Sequence, residues 1–162
     1  GGTLNDVRAR VEVIRSTPRE LPGWVVVLAV GLACGAFCRN LGGGWPEFLA
    51  ATVGAGIAQS LRMFFHRLGV NFLILTVLCS LIAALTAWGV LQAVPGHSPA
   101  LGLIASVLLM VPGVLSVTTV IDLTNYDIVS GLVRGALALI ITLSIGVGVL
   151  LALWITGMDI LP

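Results

Sequence analysis

Chemistry in this sequence is concentrated between residues 112 and 134. Pro112-Gly113 interrupts an apolar stretch there, and Thr118, Thr119, Asp122, Asn125, Asp127 and Arg134 follow. A Pro-Gly pair removes an intrahelical hydrogen bond and admits unusual backbone angles, so it can divide a membrane helix into two half-helices. The backbone groups freed by such a break bind solutes or ions in transporters, although many proline kinks in membrane helices only shape the helix. Counted from Leu101 at 1.5 Å per residue, Pro112 falls near the middle of a hydrocarbon layer about 30 Å thick.

The hydroxyls of Thr118 and Thr119 and the amide of Asn125 suit contacts to a polar solute, and Asp122 suits a proton or ammonium carrier. An ionisable group at the centre of a membrane helix costs about 2.5–3.5 kcal/mol on insertion scales, so it normally faces protein or water. The structural alternative for Asp122 is a solvated carboxylate at the helix boundary. If the chain continues as helix, Asp127, Ser130 and Arg134 share one face. Arg134 then either pairs with Asp127 or receives a solute carboxylate.

Other chemistry lacks its parts. Tyr126-Asp127 matches half of the intramembrane aspartyl protease pattern, but the second aspartate in a Gly-x-Gly-Asp setting is missing. There is no Gly-x-Ser-x-Gly elbow, His-Glu-x-x-His pair or phosphate loop. Cys34 and Cys38 share a helix face without a neighbouring ligand, and Cys79, like them, lies in an apolar segment as a small hydrophobe. His66, beside Arg62 and Arg67, reads as part of a headgroup-facing basic cluster, and His97 lies in a turn. No enzyme activity, metal or cofactor is expected.

The elements that must position these residues are membrane helices. The 162 residues are 58% hydrophobic and 9% charged, with a mean hydropathy of +1.12, whereas soluble domains carry roughly a quarter charged residues. The eight basic residues are all Arg and form no run, and the net charge is +1, which argues against a nucleic-acid partner. Each span needs about 20 mostly apolar residues. Five fit, at about Trp24–Cys38, Glu47–Phe65, Asn71–Val94, from near Leu101, and Leu132–Trp154.

Turns at Gly42-Gly43-Gly44, at Gly69 and at Pro95 to Pro99 separate the first four spans. The expectation is an all-α integral membrane protein, a bundle of five transmembrane helices with the fourth broken at Pro112-Gly113. Residues 1–22 form a cytoplasmic leader, the end of a preceding soluble region, in which Asn5–Arg15 reads as a short amphipathic helix; residues 23–162 form the membrane domain. The start at Gly1-Gly2 without an initiator Met is expected to mark a piece of a longer chain.

Orientation follows the arginines, because cytoplasmic flanks retain basic residues. Arg8, Arg10, Arg15, Arg19, Arg62, Arg67 and Arg134 fall on one side and Arg39 alone on the other. This places the N-terminus in the cytoplasm and the C-terminus outside. Gly31 with Gly35, Ala50 with Gly54, and Gly131 with Gly135 have small-residue packing spacing. They serve either close packing within one bundle or a face for a second copy of the chain.

The order of residues resembles the threonine/serine exporter family, in its first membrane half, and the related succinate exporter subunits. The likeness is carried by Ser16-Thr17-Pro18-Arg19-Glu20-Leu21-Pro22-Gly23-Trp24, Gly42-Gly43-Gly44, Val111-Pro112-Gly113-Val114, Asp122-Leu123, Asp127, Gly131 and Arg134, then Gly146 and Gly148. The resemblance implies a secondary-transporter subunit of the bacterial inner membrane exporting threonine/serine-type amino acids or succinate-type dicarboxylates, driven by the proton gradient. It also implies a partner, either a second membrane half or a small membrane subunit. An odd number of spans fits this, since two such units would form an inverted repeat. The rival readings are a non-transporting membrane scaffold and a channel.

Overall fold

In a computed structural model of the chain, residues 22–66, 69, 71–94 and 99–157 are described. The leader, the helix expected at Asn5–Arg15, Arg67, His97 and Asp159 lie outside the described residues. The rest is helical, with no strand among the described residues. In order these are α1 (Gly23–Asn40), α2 (Trp45–His66), α3 (Phe72–Ala93), α4 (Pro99–Val107) continued by a 3-10 turn (Leu108–Met110), α5 (Gly113–Thr124) and α6 (Ile128–Thr156).

A bilayer leaves no water to satisfy backbone N–H and C=O groups, so apolar runs of this length must close their hydrogen bonds internally as helices. Among the described residues four helices are long and apolar enough to cross a membrane, and the pair Pro99–Met110 and Gly113–Thr124 makes a fifth span if counted as one. The chain is thus a multi-pass, all-α membrane protein. The two parts of that fifth span meet at 60°, which is the break expected at Pro112-Gly113.

Helix limits follow local chemistry. Asn71 caps α3, its side chain accepting from the Leu73 N–H at 3.0 Å. Pro46 occupies the first turn of α2, where a missing N–H costs nothing. α6 closes on Gly157 in the left-handed region. Trp24 projects from the end where α1 starts, hereafter the proximal end, and Trp45 and Trp154 from the opposite, distal end; all three are strongly exposed. This suits interfacial belts. Arg39 stacks over Trp45 at 4.9 Å from the ring centroid and donates to the Gly43 carbonyl oxygen.

α1 packs on α2, α2 on α3 and α4, and α3 on α4 and α6, while α5 packs mainly on α6. Alanine dominates the buried faces, with Ala50, Ala51, Ala58, Ala83, Ala84 and Ala87 all nearly or fully covered. Small side chains bring helix backbones close where lipid supplies no hydrophobic drive to association. The three small-residue pairs do this within the one bundle. Gly31 and Gly35 lie against Thr52 and Phe48 of α2, Gly54 against Ala83 and Ala87, and Gly131 and Gly135 against Leu123 and Thr119.

α6 reaches further than its neighbours. Its 29 residues span about 43 Å at 1.5 Å per residue, more than the roughly 30 Å hydrocarbon core. Gly148 sits level with Val77 and Ser80 of α3. Since α3 and α6 run in the same direction, the part of α6 before about Ile140 passes beyond the start of α3 at Phe72. The α5–α6 hairpin therefore stands at the proximal end of the bundle.

Candidate functional site

The break is built by three successive local devices. Tighter i to i+3 bonding over Leu108–Met110 ends with the Val111 N–H donating to Leu108 O at 3.1 Å. Val111 is then extended, as a residue before proline prefers. Pro112, at φ −77° and ψ 61°, is the centre of an inverse γ-turn closed by the Gly113 N–H to Val111 O at 2.8 Å. α5 starts on the next residue, its first bond running from the Ser116 N–H to Pro112 O. Met110 lies beside Phe72, Leu75 and Thr76 at the start of α3, so the break lies nearer the proximal end than arithmetic from Leu101 placed it.

α5 presents the polar run. No residue of α5 is fully buried, and Val114, Val117 and Val120 are exposed on its outer side. The hydroxyls of Thr118 and Thr119 donate to the carbonyls of Val114 and Leu115, and Asn125 Nδ2 donates to Ile121 O at 3.0 Å. These donors are satisfied within the helix, as short polar side chains in membrane helices commonly are; their oxygens remain able to accept. Thr119 lies inside the α5–α6 contact, against Gly135.

The helix does not continue from α5 into α6. Asn125 closes α5, Tyr126 turns the chain at φ 62°, and Asp127 caps α6. The reversal brings Asp122 to Arg134: Arg134 Nη1 donates to Asp122 Oδ2 at 2.6 Å, with the Asp122 side chain 18% and that of Arg134 47% exposed. It is the one salt bridge between described residues. Arg134 thus pairs with Asp122 across the hairpin, and Asp127 is occupied in capping.

The Asp127 carboxylate accepts from the Ser130 N–H at 3.3 Å. Hydrogen bonds from the hydroxyl and backbone of Ser130, with a smaller contribution from Arg134, hold its carboxyl below the usual carboxylate range. A lowered folded value means the cap's contribution is complete above about pH 4, the ordinary Asp value, and fades as pH falls through the lower folded value. Asp127→Ala should therefore lower the thermal midpoint at pH 7, and Asp127→Asn should recover most of it because Asn also caps well; at strongly acidic pH the gap between the parent and Asp127→Ala should narrow, whereas the gap between Asp127→Asn and Asp127→Ala should not, since the Asn cap does not titrate.

Two charged residues have roles that sequence reasoning did not find. Glu47, taken there only as the start of a span, is fully buried in the first turn of α2, enclosed by Gly43, Gly44 and Gly102. Its signal was present, since it is the one carboxylate in the first three spans. Arg62, read in the sequence with His66 and Arg67 as a headgroup-facing cluster, lines a small cavity with Phe72, Leu75, Thr76, Cys79 and Met110. Among the described residues no group of three or more His, Cys, Asp or Glu is arranged to hold a metal.

Comparison with known proteins covers most of the chain. A family described as "Putative threonine/serine exporter" matches residues 2–156. The chain belongs to this family. Within the threonine/serine exporter family, the chain is 37% identical over 147 residues to the "Probable succinate transporter subunit YjjP" of Escherichia coli K12, covering 87% of this chain and 56% of that protein. It is 35% identical over 159 residues to the protein of the same description in Klebsiella aerogenes, covering 94% of this chain and 59% of that one. The chain thus spans less than three fifths of the length of these curated relatives. No solved structure matches.

Proposed function

We propose that this chain is one part of a proton-coupled exporter of small polar carboxylates, either threonine/serine-type amino acids or succinate-type dicarboxylates. It would lie in a bacterial inner membrane with the N-terminus in the cytoplasm and the C-terminus outside, working with a second membrane half or small subunit. The observation that carries the reading is the Asp122–Arg134 pair, set on the α5–α6 hairpin just past a 60° break. Charges are kept in such places chiefly for pathways and relays.

In the proposed cycle the pair is closed in the conformation seen here. A proton taken up by Asp122 cancels its attraction for Arg134 and frees α5 to pivot at Pro112-Gly113. Thr118, Thr119 and Asn125, on the moving arm, then meet the solute. Asp127 anchors the start of α6 so that Arg134 keeps its position. A membrane potential supplies about 2.3 kcal/mol per charge per 100 mV, enough for one coupled proton to sustain a gradient of more than about tenfold.

The test is efflux from proteoliposomes containing the chain with its partner half, loaded with serine, threonine or succinate, with and without an imposed pH gradient. Saturable efflux of one solute that rises with the gradient is expected. Conduction without saturation would make it a channel. No efflux with a verified partner would leave a scaffold, in which Asp122 and Arg134 only close the hairpin.

A further inference from the structure

We infer that Arg62, at the cavity beside the helix break, receives the carboxylate of the transported solute. The inference rests on the export reading above and adds to it a binding residue on α2, away from the α5–α6 pair. The cavity is walled by the inward face of α2 at Arg62, the start of α3 at Phe72, Leu75, Thr76 and Cys79, and Met110 at the end of the 3-10 turn. Three helical segments meet there, one of them ending at the break.

The described arginines divide by occupation. Arg39 is held by the Trp45 ring and the Gly43 carbonyl, and Arg134 by Asp122. Arg62 has no ion pair or hydrogen bond among the described residues, and it is half-buried on an apolar wall. A guanidinium so placed offers paired donors that match a carboxylate in two parallel hydrogen bonds. Thr76 adds an acceptor: its hydroxyl donates to Phe72 O at 2.8 Å, leaving oxygen lone pairs toward a solute donor. The remaining lining, Phe72, Leu75, Cys79 and Met110, supplies the apolar body usual in small-molecule sites.

The cavity measures about 20 Å³, room for roughly one water. As it stands it is too small for a solute, and admission of one requires the 3-10 turn and α5 to swing away. Met110 connects the two events, since it lines the cavity and lies two residues before Pro112. The site therefore opens and closes with the hinge, which couples anion binding to the bend.

An anionic lipid headgroup offers the same oxyanion chemistry at this end of the bundle, and the test separates it from a solute. The full protein in nanodiscs, made once with zwitterionic lipid and once with added anionic lipid, is titrated with succinate, serine and threonine and with their carboxamide analogues. The expected result is saturable binding of a carboxylate solute in zwitterionic lipid, at least about tenfold weaker binding of its amide, a loss of about tenfold or more in Arg62→Gln, and partial retention in Arg62→Lys.

Thermal midpoints of both variants without solute report folding separately. Solute affinity unchanged in Arg62→Gln overturns the inference, as does an Arg62-dependent response to anionic lipid with none to solute. Wild-type efflux paired with undiminished apparent affinity in Arg62→Gln sinks this inference alone. Absence of wild-type efflux sinks the export reading and this inference with it.

Discussion

Gly148→Val is expected to separate α6 from α3 and to lower the thermal midpoint of the detergent-solubilised protein sharply. A Cβ at position 148 would collide with Ser80 Oγ, come within 2.6 Å of the Val77 carbonyl oxygen and within 3.0 Å of the Leu81 nitrogen. Two of those atoms are backbone, so the helices must move apart rather than a side chain rotate. Overpacking of a well-filled core costs about 1–3 kcal/mol and sometimes more. The same movement would strip cover from Ile141 and Ile145, which share a buried cluster with Leu75, Cys79 and Ala83. Because α5 packs mainly on α6, transport should fall with stability.

A second variant separates the two contributions to this clash. Gly148→Ala alone meets both Ser80 and the Val77 carbonyl; Ser80→Ala added to it removes the hydroxyl but leaves the carbonyl where it is. The double variant should therefore be more stable than Gly148→Ala and remain below the parent. A Gly148→Val protein with an unchanged midpoint would show that α3 and α6 do not pack this closely.

Sequence reasoning located the spans to within a few residues because a bilayer demands long apolar runs and the breakers at Gly42-Gly43-Gly44 and Pro112-Gly113 punctuate them. It was weaker at telling which side of each helix faces protein, since lipid and core are equally apolar. Leu28, Leu32, Leu139 and Leu143 face outward, while the inward faces are marked by alanine and glycine. Small-residue spacing was the usable signal, and it pointed to the right faces at Gly31, Gly35, Ala50 and Gly54.

Around the candidate site the polar residues were legible and their partners were not. Asp122 and Arg134 meet only because Tyr126 adopts a positive φ, a conformation that a tyrosine in a sequence does not announce. Helical continuation through 125–127 would have put Asp127 and Arg134 on one face; the turn assigns Asp127 to the cap of α6 instead. The Arg62 cavity is assembled from three segments far apart in sequence. No local spacing encodes such a meeting. Glu47 was visible as the one carboxylate of the early spans, yet its burial depends on Gly43, Gly44 and Gly102 leaving space around it.

Asp122→Asn should abolish the dependence of efflux on the pH gradient, lowering gradient-driven rates at least about tenfold, a barrier change of about 1.4 kcal/mol, while changing thermal stability little. The contrast follows from exposure. Arg134 is nearly half exposed, and partly solvated ion pairs contribute only about 0–1 kcal/mol to folding. A pair kept solely to hold the hairpin would thus be a weak clamp, and its loss would cost transport no more than it costs stability.

The decisive variant exchanges the two charges, Asp122→Arg with Arg134→Asp. It preserves the attraction between α5 and α6 but moves the protonatable carboxylate onto the static arm. If the pair is a clamp, the exchange should restore both midpoint and efflux relative to either single substitution. If Asp122 carries the proton on the moving arm, the midpoint should recover and gradient-dependent efflux should not. Full recovery of coupled efflux in the exchanged protein would remove Asp122 from the coupling step and leave the hinge at Pro112-Gly113 to be driven by solute binding alone.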